Sequence, residues 1–215
     1  MDIVNERIEQ YMRELQARHD EPVLLEMEQE ARERGFPIVD RVVGVTLELL
    51  ARSVRARRVF EMGSGYGYSA YWFARAVGEG GEVHLTDGDP ENERKARDYL
   101  GRAGLWERVR YTVGDGIATL QATDGEFDVI FSDIDKGDYP RAWEVARERI
   151  RVGGLYICDN ALRAGGMDAV TRSDDRGRGW GAAVDDHNRA VASDQRYLTT
   201  LLPIRDGDLV ALRVR

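Results

Sequence analysis

From residue 58 onward the chain alternates short apolar runs with stretches whose apolar positions recur at helical spacing; residues 3 to 55 carry the helical spacing alone. In that first stretch Ile8, Met12 and Leu15, then Val42, Val43, Leu47 and Leu50, fall on repeating faces, and Gly35 and Pro37 punctuate them. Two or three helices are expected there, as an N-terminal extension over residues 1–55. The short runs predict strands at Arg58–Met62, Glu82–Thr86, Val109–Val113, Phe127–Ser132 and Leu155–Cys158. Helices are expected to start near Ser69, Pro90, Gly116 and Tyr139, with Pro90 and Pro140 placed where a first turn accepts proline. This alternation predicts an α/β fold with a mostly parallel sheet covered on both faces. The runs Tyr197–Ile204 and Leu209–Val214 flank Asp206-Gly207, a hairpin signal, so the sheet should close with an antiparallel pair. Arg163 to Gly181 is polar and aperiodic, and a connection this long inside a domain is read as a substrate lid or a disordered loop.

Composition narrows the class. A chain of 215 residues, 42% of them hydrophobic, suits one domain spanning 1–215. The formal net charge is -8 and both signs are dispersed, which argues against a surface built to neutralise phosphates. Cys158 is the single cysteine, so no intrachain disulfide can form and a reducing compartment is expected. Neither a signal-peptide pattern nor an apolar run of about 20 residues occurs, giving a cytoplasmic expectation with no membrane partner.

The glycine turn Glu61-Met-Gly63-Ser64-Gly65-Tyr66-Gly67-Tyr-Ser69 follows the first strand and opens a helix. A dinucleotide fingerprint would want glycine at 68, where Tyr68 stands, so a nicotinamide-dependent oxidoreductase is disfavoured. Glu61 ahead of the turn suits a zwitterionic amino-acid ligand, with the acid facing an ammonium and the turn's amides facing a carboxylate. The second strand ends at Asp87, which can accept from both hydroxyls of a ribose. The third ends in Gly114-Asp115-Gly116, where Asp115 can accept from an adenine amino group. An amino acid, a ribose and an adenine at successive strand ends describe S-adenosylmethionine. Taken singly, each aspartate could equally be a helix cap.

The fourth strand runs out into Asp133-Ile-Asp135-Lys136 and the fifth into Asp159-Asn160. Neighbouring strand ends line one crevice, so Asp133, Asp159 and Asn160 should converge beside the cofactor. Two carboxylates and an amide are hard ligands that suit Mg²⁺, with Ca²⁺ or Mn²⁺ possible alternatives. Zinc is disfavoured because His19, His84 and His187 are dispersed. Of 31 cationic side chains only Lys95 and Lys136 are lysines, and lysine, unlike arginine, can be tuned to give up its proton. Lys136 is therefore the candidate general base, with Asp133 beside it in the catalytic group.

These residues resemble the cation-dependent O-methyltransferases of the catechol and caffeoyl-CoA type. The resemblance runs from RELQARHDEPVLLEMEQEAR through EMGSGYGYS, FSDIDKGDYP and GGLYICDN to LLPIRDGDLVALR. It implies a class I methyltransferase, Rossmann-like fold with a seven-stranded sheet and terminal hairpin. It also implies a divalent metal on Asp133, Asp159 and Asn160, a catalytic Lys136, and cofactor contacts at Glu61, Gly63, Ser69, Asp87 and Asp115. Val39 corresponds to the position whose backbone lies near the methionine end of the cofactor, and members are often homodimers. The expected substrate is a small vicinal diol. Ala161-Leu162-Arg163 replaces the aromatic residue common after the Asp-Asn pair, and Trp180 is the lid's one aromatic residue. A hydroxylated tRNA base, met by Arg163, Arg172, Arg176 and Arg178, is the alternative substrate; a non-catalytic cofactor-binding protein is a further one.

Overall fold

The computed structural model describes residues 6–164, 167–168 and 180–215. Its N-terminal extension holds α1 (Glu6–Leu15), a short 3-10 turn, α2 (Pro22–Arg34) and α3 (Arg41–Ser53). Local chemistry sets their ends: Pro22 occupies the first turn of α2, and Gly35 ends it at φ 62°. Asp40 caps α3 by accepting from the Val43 amide at 3.0 Å.

The alternating part follows as β1 (Arg58–Met62), α4 (Tyr68–Val77), β2 (Glu82–Asp87), α5 (Pro90–Arg102), β3 (Val109–Val113), α6 (Gly116–Ala122), β4 (Phe127–Ser132), α7 (Tyr139–Ala146) and β5 (Ile150–Cys158). A two-residue ribbon, β6 (Arg163–Ala164) with β7 (Met167–Asp168), precedes α8 (Trp180–Ser193), β8 (Tyr197–Leu202) and β9 (Asp208–Arg213). Seven strands form one sheet in the order β3-β2-β1-β4-β5-β9-β8. β1 to β5 are parallel, and β9 runs antiparallel to both β5 and β8. The expected strand for residues 155–158 begins five residues earlier, with a register irregularity against β4 between Phe127 and Val129. The closing connection is a loop over residues 203–207 rather than a tight turn, and Asp208 belongs to β9. Most of the expected lid, 163–181, lies outside the described residues.

Alternation along the strands sends side chains to two cores. Val59, Val129, Phe131 and Ile157 pack under α2 to α5, whereas Phe60, Ile130, Tyr156 and Cys158 pack under α6 to α8. Cys158 is therefore a core residue, and burial pushes its thiol well up. The chain builds outward from β1 in one direction through β2 and β3, and in the other through β4 and β5. This reversal opens a crevice at the carboxyl ends of β1 and β4. One hydrogen-bonded row crosses the sheet there, pairing Met62 with Thr86 and Ser132, and Ser132 with Cys158. The next residues follow at the same level: Gly63, Asp133 and Asp159 leave the sheet, and Asp87 is the last residue of β2, paired with Val113. No described helix is long and apolar enough to cross a membrane.

Candidate active site

A cavity of about 850 Å³ occupies that crevice. Val39 and the strap before it form one wall, and Gly63, Ser64, Gly65, Tyr66 and Ser69 form a second. Asp87, Gly114, Asp115 and Gly116 close one end; Asp133, Lys136, Asp159 and Asn160 close the other. The residues expected for a cofactor and those expected for a metal thus share one enclosure. Glu61 and Gly67 lie outside its lining.

The glycine turn is shaped by close approach of the neighbouring strand end. Gly63 has φ 84°, and a Cβ there would sit 2.1 Å from the Asp133 carbonyl oxygen. Gly67 is needed for a different reason than ligand contact. At φ 89° it opens α4, and a side chain there would press on Leu100 and Ala96 of α5. The turn's amides are also less available than expected. Those of Gly63 and Ser64 donate to the Thr86 carbonyl at 3.1 and 2.8 Å, and that of Gly67 donates to the Ser64 carbonyl at 2.9 Å. Gly65 donates to Asp87 Oδ2 at 3.1 Å. A ligand carboxylate must find other donors, because these are spent within the turn and on holding it to β2.

Behind Ser69, Glu61 is fully buried, and one oxygen accepts from the Ser69 hydroxyl. Its second oxygen has no partner. Burial pushes the Glu61 carboxyl up to about 8; the Ser69 bond opposes this, and the charges of Asp133 and Asp87 add to it. An unpaired buried acceptor beside a cavity fits a cationic donor such as an ammonium. Asp87 is wired into the frame, accepting also from the Asp89 amide at 2.8 Å and from Asn92 Nδ2 at 3.0 Å. Asp115 caps α6, accepting from the Ala118 amide at 2.6 Å, while lining the cavity. Capping and lining are compatible. Tyr66 contributes its backbone side of the wall, since its hydroxyl donates to the Met27 carbonyl at 3.0 Å in the core.

At the opposite end, Lys136 Nζ donates to Asp133 Oδ1 at 3.2 Å and stands 5.1 Å from the centre of the Tyr139 ring. The Tyr139 hydroxyl donates to the Asp159 carbonyl at 2.9 Å, tying the two loops together. Asp159 Oδ1 accepts from the Asn160 amide at 2.6 Å, and Asn160 adopts φ 55°, a conformation asparagine tolerates. Burial and then the charge of Asp133 push the Asp159 carboxyl up. Two carboxylates in mutual repulsion, one of them bonded to Lys136, are a donor set that a divalent cation would relieve. Among the described residues no group of three or more His, Cys, Asp or Glu side chains is arranged to hold a metal. The set at issue has two acids, with the Asn160 amide as its third donor.

Asp208 escaped the sequence reading. It is fully buried at the start of β9, neither of its oxygens has a partner, and burial followed by the charge of Asp159 pushes it well up. Burial and the neighbouring Asp159 charge both favour the protonated form of Asp208. Its only advance signal is its place in Asp206-Gly207-Asp208, one residue inside the closing strand. Arg205 and Asp206, from the loop before it, also line the cavity and were not singled out. The arginines expected to meet tRNA fall at 172, 176 and 178, outside the described residues, as do the side chains of Arg163 and Trp180.

A family model described as O-methyltransferase matches residues 12–214. A catechol O-methyltransferase from Mycobacterium tuberculosis is 38% identical over 133 residues, which is 61% of this chain and 60% of that relative. The crystal structure of a methyltransferase from Geobacter sulfurreducens superposes with a TM-score of 0.84 at 32% identity, covering 100% of this chain and 99% of the other. That of an O-methyltransferase from Bacillus cereus in complex with SAH superposes at 0.81 and 27% identity, covering 90% and 91%.

Proposed function

The chain belongs to the O-methyltransferase family, and we propose that it moves a methyl group from S-adenosylmethionine to one hydroxyl of a small vicinal diol gripped beside a divalent cation. The single observation behind this reading is the shared row of strand ends. It brings Gly63 and Asp87 into the same cavity as Asp133, Lys136, Asp159 and Asn160. The SAH complex of the Bacillus cereus relative and the catechol named for the mycobacterial one support the two ligands.

Each group then has a task. Glu61, through its unpaired oxygen, meets the cofactor's ammonium; Asp87 and Asp115 take the ribose and adenine ends. Val39 closes the strap over the methionine end. Asp133, Asp159 and Asn160 would hold Mg²⁺, or Ca²⁺ or Mn²⁺ in its place. When bound, such a cation favours the ionised form of a hydroxyl it touches. Lys136 in its neutral form accepts that hydroxyl's proton, and the substrate oxygen attacks the sulfonium methyl in line as the methyl–sulfur bond breaks, leaving S-adenosylhomocysteine. No covalent enzyme intermediate is needed, so alignment dominates and can contribute on the order of 7–11 kcal/mol. A homodimer in the cytoplasm remains part of the reading through family likeness.

The test is methyl transfer from labelled S-adenosylmethionine to a diol panel, after chelation and again after Mg²⁺ is returned. Transfer that needs the cation and two adjacent hydroxyls supports the reading. Equal transfer in chelator, or transfer to tRNA alone, rejects it.

A further inference from the structure

The cavity wall is overwhelmingly acidic. Among the described residues it carries seven aspartates and two cationic side chains, Lys136 and Arg205. Lys136 is already bonded to Asp133. Arg205 donates no hydrogen bond among the described residues; its nearest acid, Asp40, is 3.9 Å away and is shared with Arg13 and the α3 cap. This guanidinium has unused donors.

Its location is specific. Ala161 and Leu162, the two residues after Asn160, donate their amides to the carbonyls of Gly207 and Asp206 at 2.8 and 2.9 Å. The loop bearing Arg205 is thereby fastened to the metal end of the cavity, away from Asp87 and Asp115. On its other side Arg205 also lines a neighbouring cleft of about 580 Å³, which shares the strap Phe36, Pro37, Ile38 and Val39 with the main cavity. Arg205 thus stands where a diol's substituent would leave the metal end for that cleft. It does so at φ 46°, a backbone conformation that a residue other than glycine rarely adopts.

Building on the proposed diol methylation, we propose that Arg205 is a specificity residue that selects substrates bearing a carboxylate on the diol ring. The two ring oxygens face Asp133, Asp159 and Asn160, and the acid pairs with the forked guanidinium. Among the described residues the main cavity's other cation, Lys136, is already bonded to Asp133, and elsewhere in that cavity the aspartates would repel an anionic substituent.

The experiment compares 3,4-dihydroxybenzoate with its uncharged methyl ester, in the unaltered protein and in Arg205→Gly and Arg205→Lys. Glycine suits the local backbone and lysine keeps the charge without the fork. The unaltered protein is expected to favour the acid in kcat/KM by roughly tenfold or more, chiefly through KM. That preference should vanish in R205G and survive in part in R205K. Calorimetric binding of the acid to protein loaded with S-adenosylhomocysteine and Mg²⁺ should show the same order. An acid-to-ester ratio unchanged in R205G, or an unaltered protein that favours the ester, overturns the role of Arg205 and leaves diol methylation standing. Failure of the unaltered protein to methylate either compound overturns both.

Discussion

Lys136 Nζ lies 3.2 Å from Asp133 Oδ1, so the amine assigned as base is held by a carboxylate assigned to the cation. The two roles are linked: whatever occupies Asp133 changes what Lys136 is bonded to. The ring of Tyr139 under the ammonium limits where the lysine can swing.

Removing the amine separates chemistry from binding. Lys136→Ala should lower kcat by about 10²- to 10⁴-fold, the span of general-base catalysis. Affinity for S-adenosylhomocysteine should change less than about threefold, because the cofactor groups sit at the other end of the cavity. Single-turnover rates and calorimetry check the two halves, and wild-type turnover in the Ala variant would remove Lys136 from the mechanism.

Glu61 makes the cofactor-free protein sensitive to alkali. Its carboxyl ionises at about 8 when folded against an ordinary 4.5, so the folded state holds an extra proton between these values. Stability therefore falls as pH rises through that window, by up to about 5 kcal/mol in all. Melting of the native protein and Glu61→Gln between pH 6.5 and 8 should show a steeper fall in the first than in the second, where Asp159 and Asp208, also pushed up by burial, still contribute. Glu61→Gln should also weaken S-adenosylhomocysteine binding by roughly tenfold, since an amide cannot pair with an ammonium as a carboxylate does.

His187 acts from the acid side. It is fully buried and bonded to the Tyr156 hydroxyl at 3.0 Å, and burial, opposed by Asn188, holds it down to about 4. The unfolded chain takes up a proton near 6.5, so stability falls as pH drops from 6.5 to about 4, by about 3 kcal/mol. Between pH 4.5 and 6.5 this opposes the Glu61 effect and flattens the profile. A His187→Gln melt that kept the native acid slope would assign that slope elsewhere.

Gly63 links the fold to the chemistry. In Gly63→Ala the new methyl would meet the Asp133 carbonyl at 2.1 Å with φ at 84°, so the metal-end loop must move. A stability loss on the order of 1–3 kcal/mol is expected from the backbone strain. Turnover should fall on the order of 10²-fold, as it does when reacting groups are displaced by about 1 Å. A melt and a rate near native values would show that the loop yields to the methyl group without cost.

The amino-acid sequence by itself determined the alternation of strands and helices, because side-chain periodicity is a local property that each segment carries in its own residues. It also determined which chemistry-bearing residues end the strands, from Glu61 and Asp87 to Asp133, Lys136 and Asp159. Tertiary structure alone decided the rest. The register between strands set Gly63, Asp87, Asp133 and Asp159 at one level, and register depends on pairing across 20 to 70 residues of chain. It also spent the amides of the glycine turn on Thr86 and Asp87, and turned Gly67 toward α5 instead of the ligand. Asp208 and Arg205 could not be read in advance, because a turn-rich hairpin looks the same from sequence whether its tip faces solvent or a cavity. Only the packing of β9 against β5 buries the one beside Asp159 and aims the other at the substrate end.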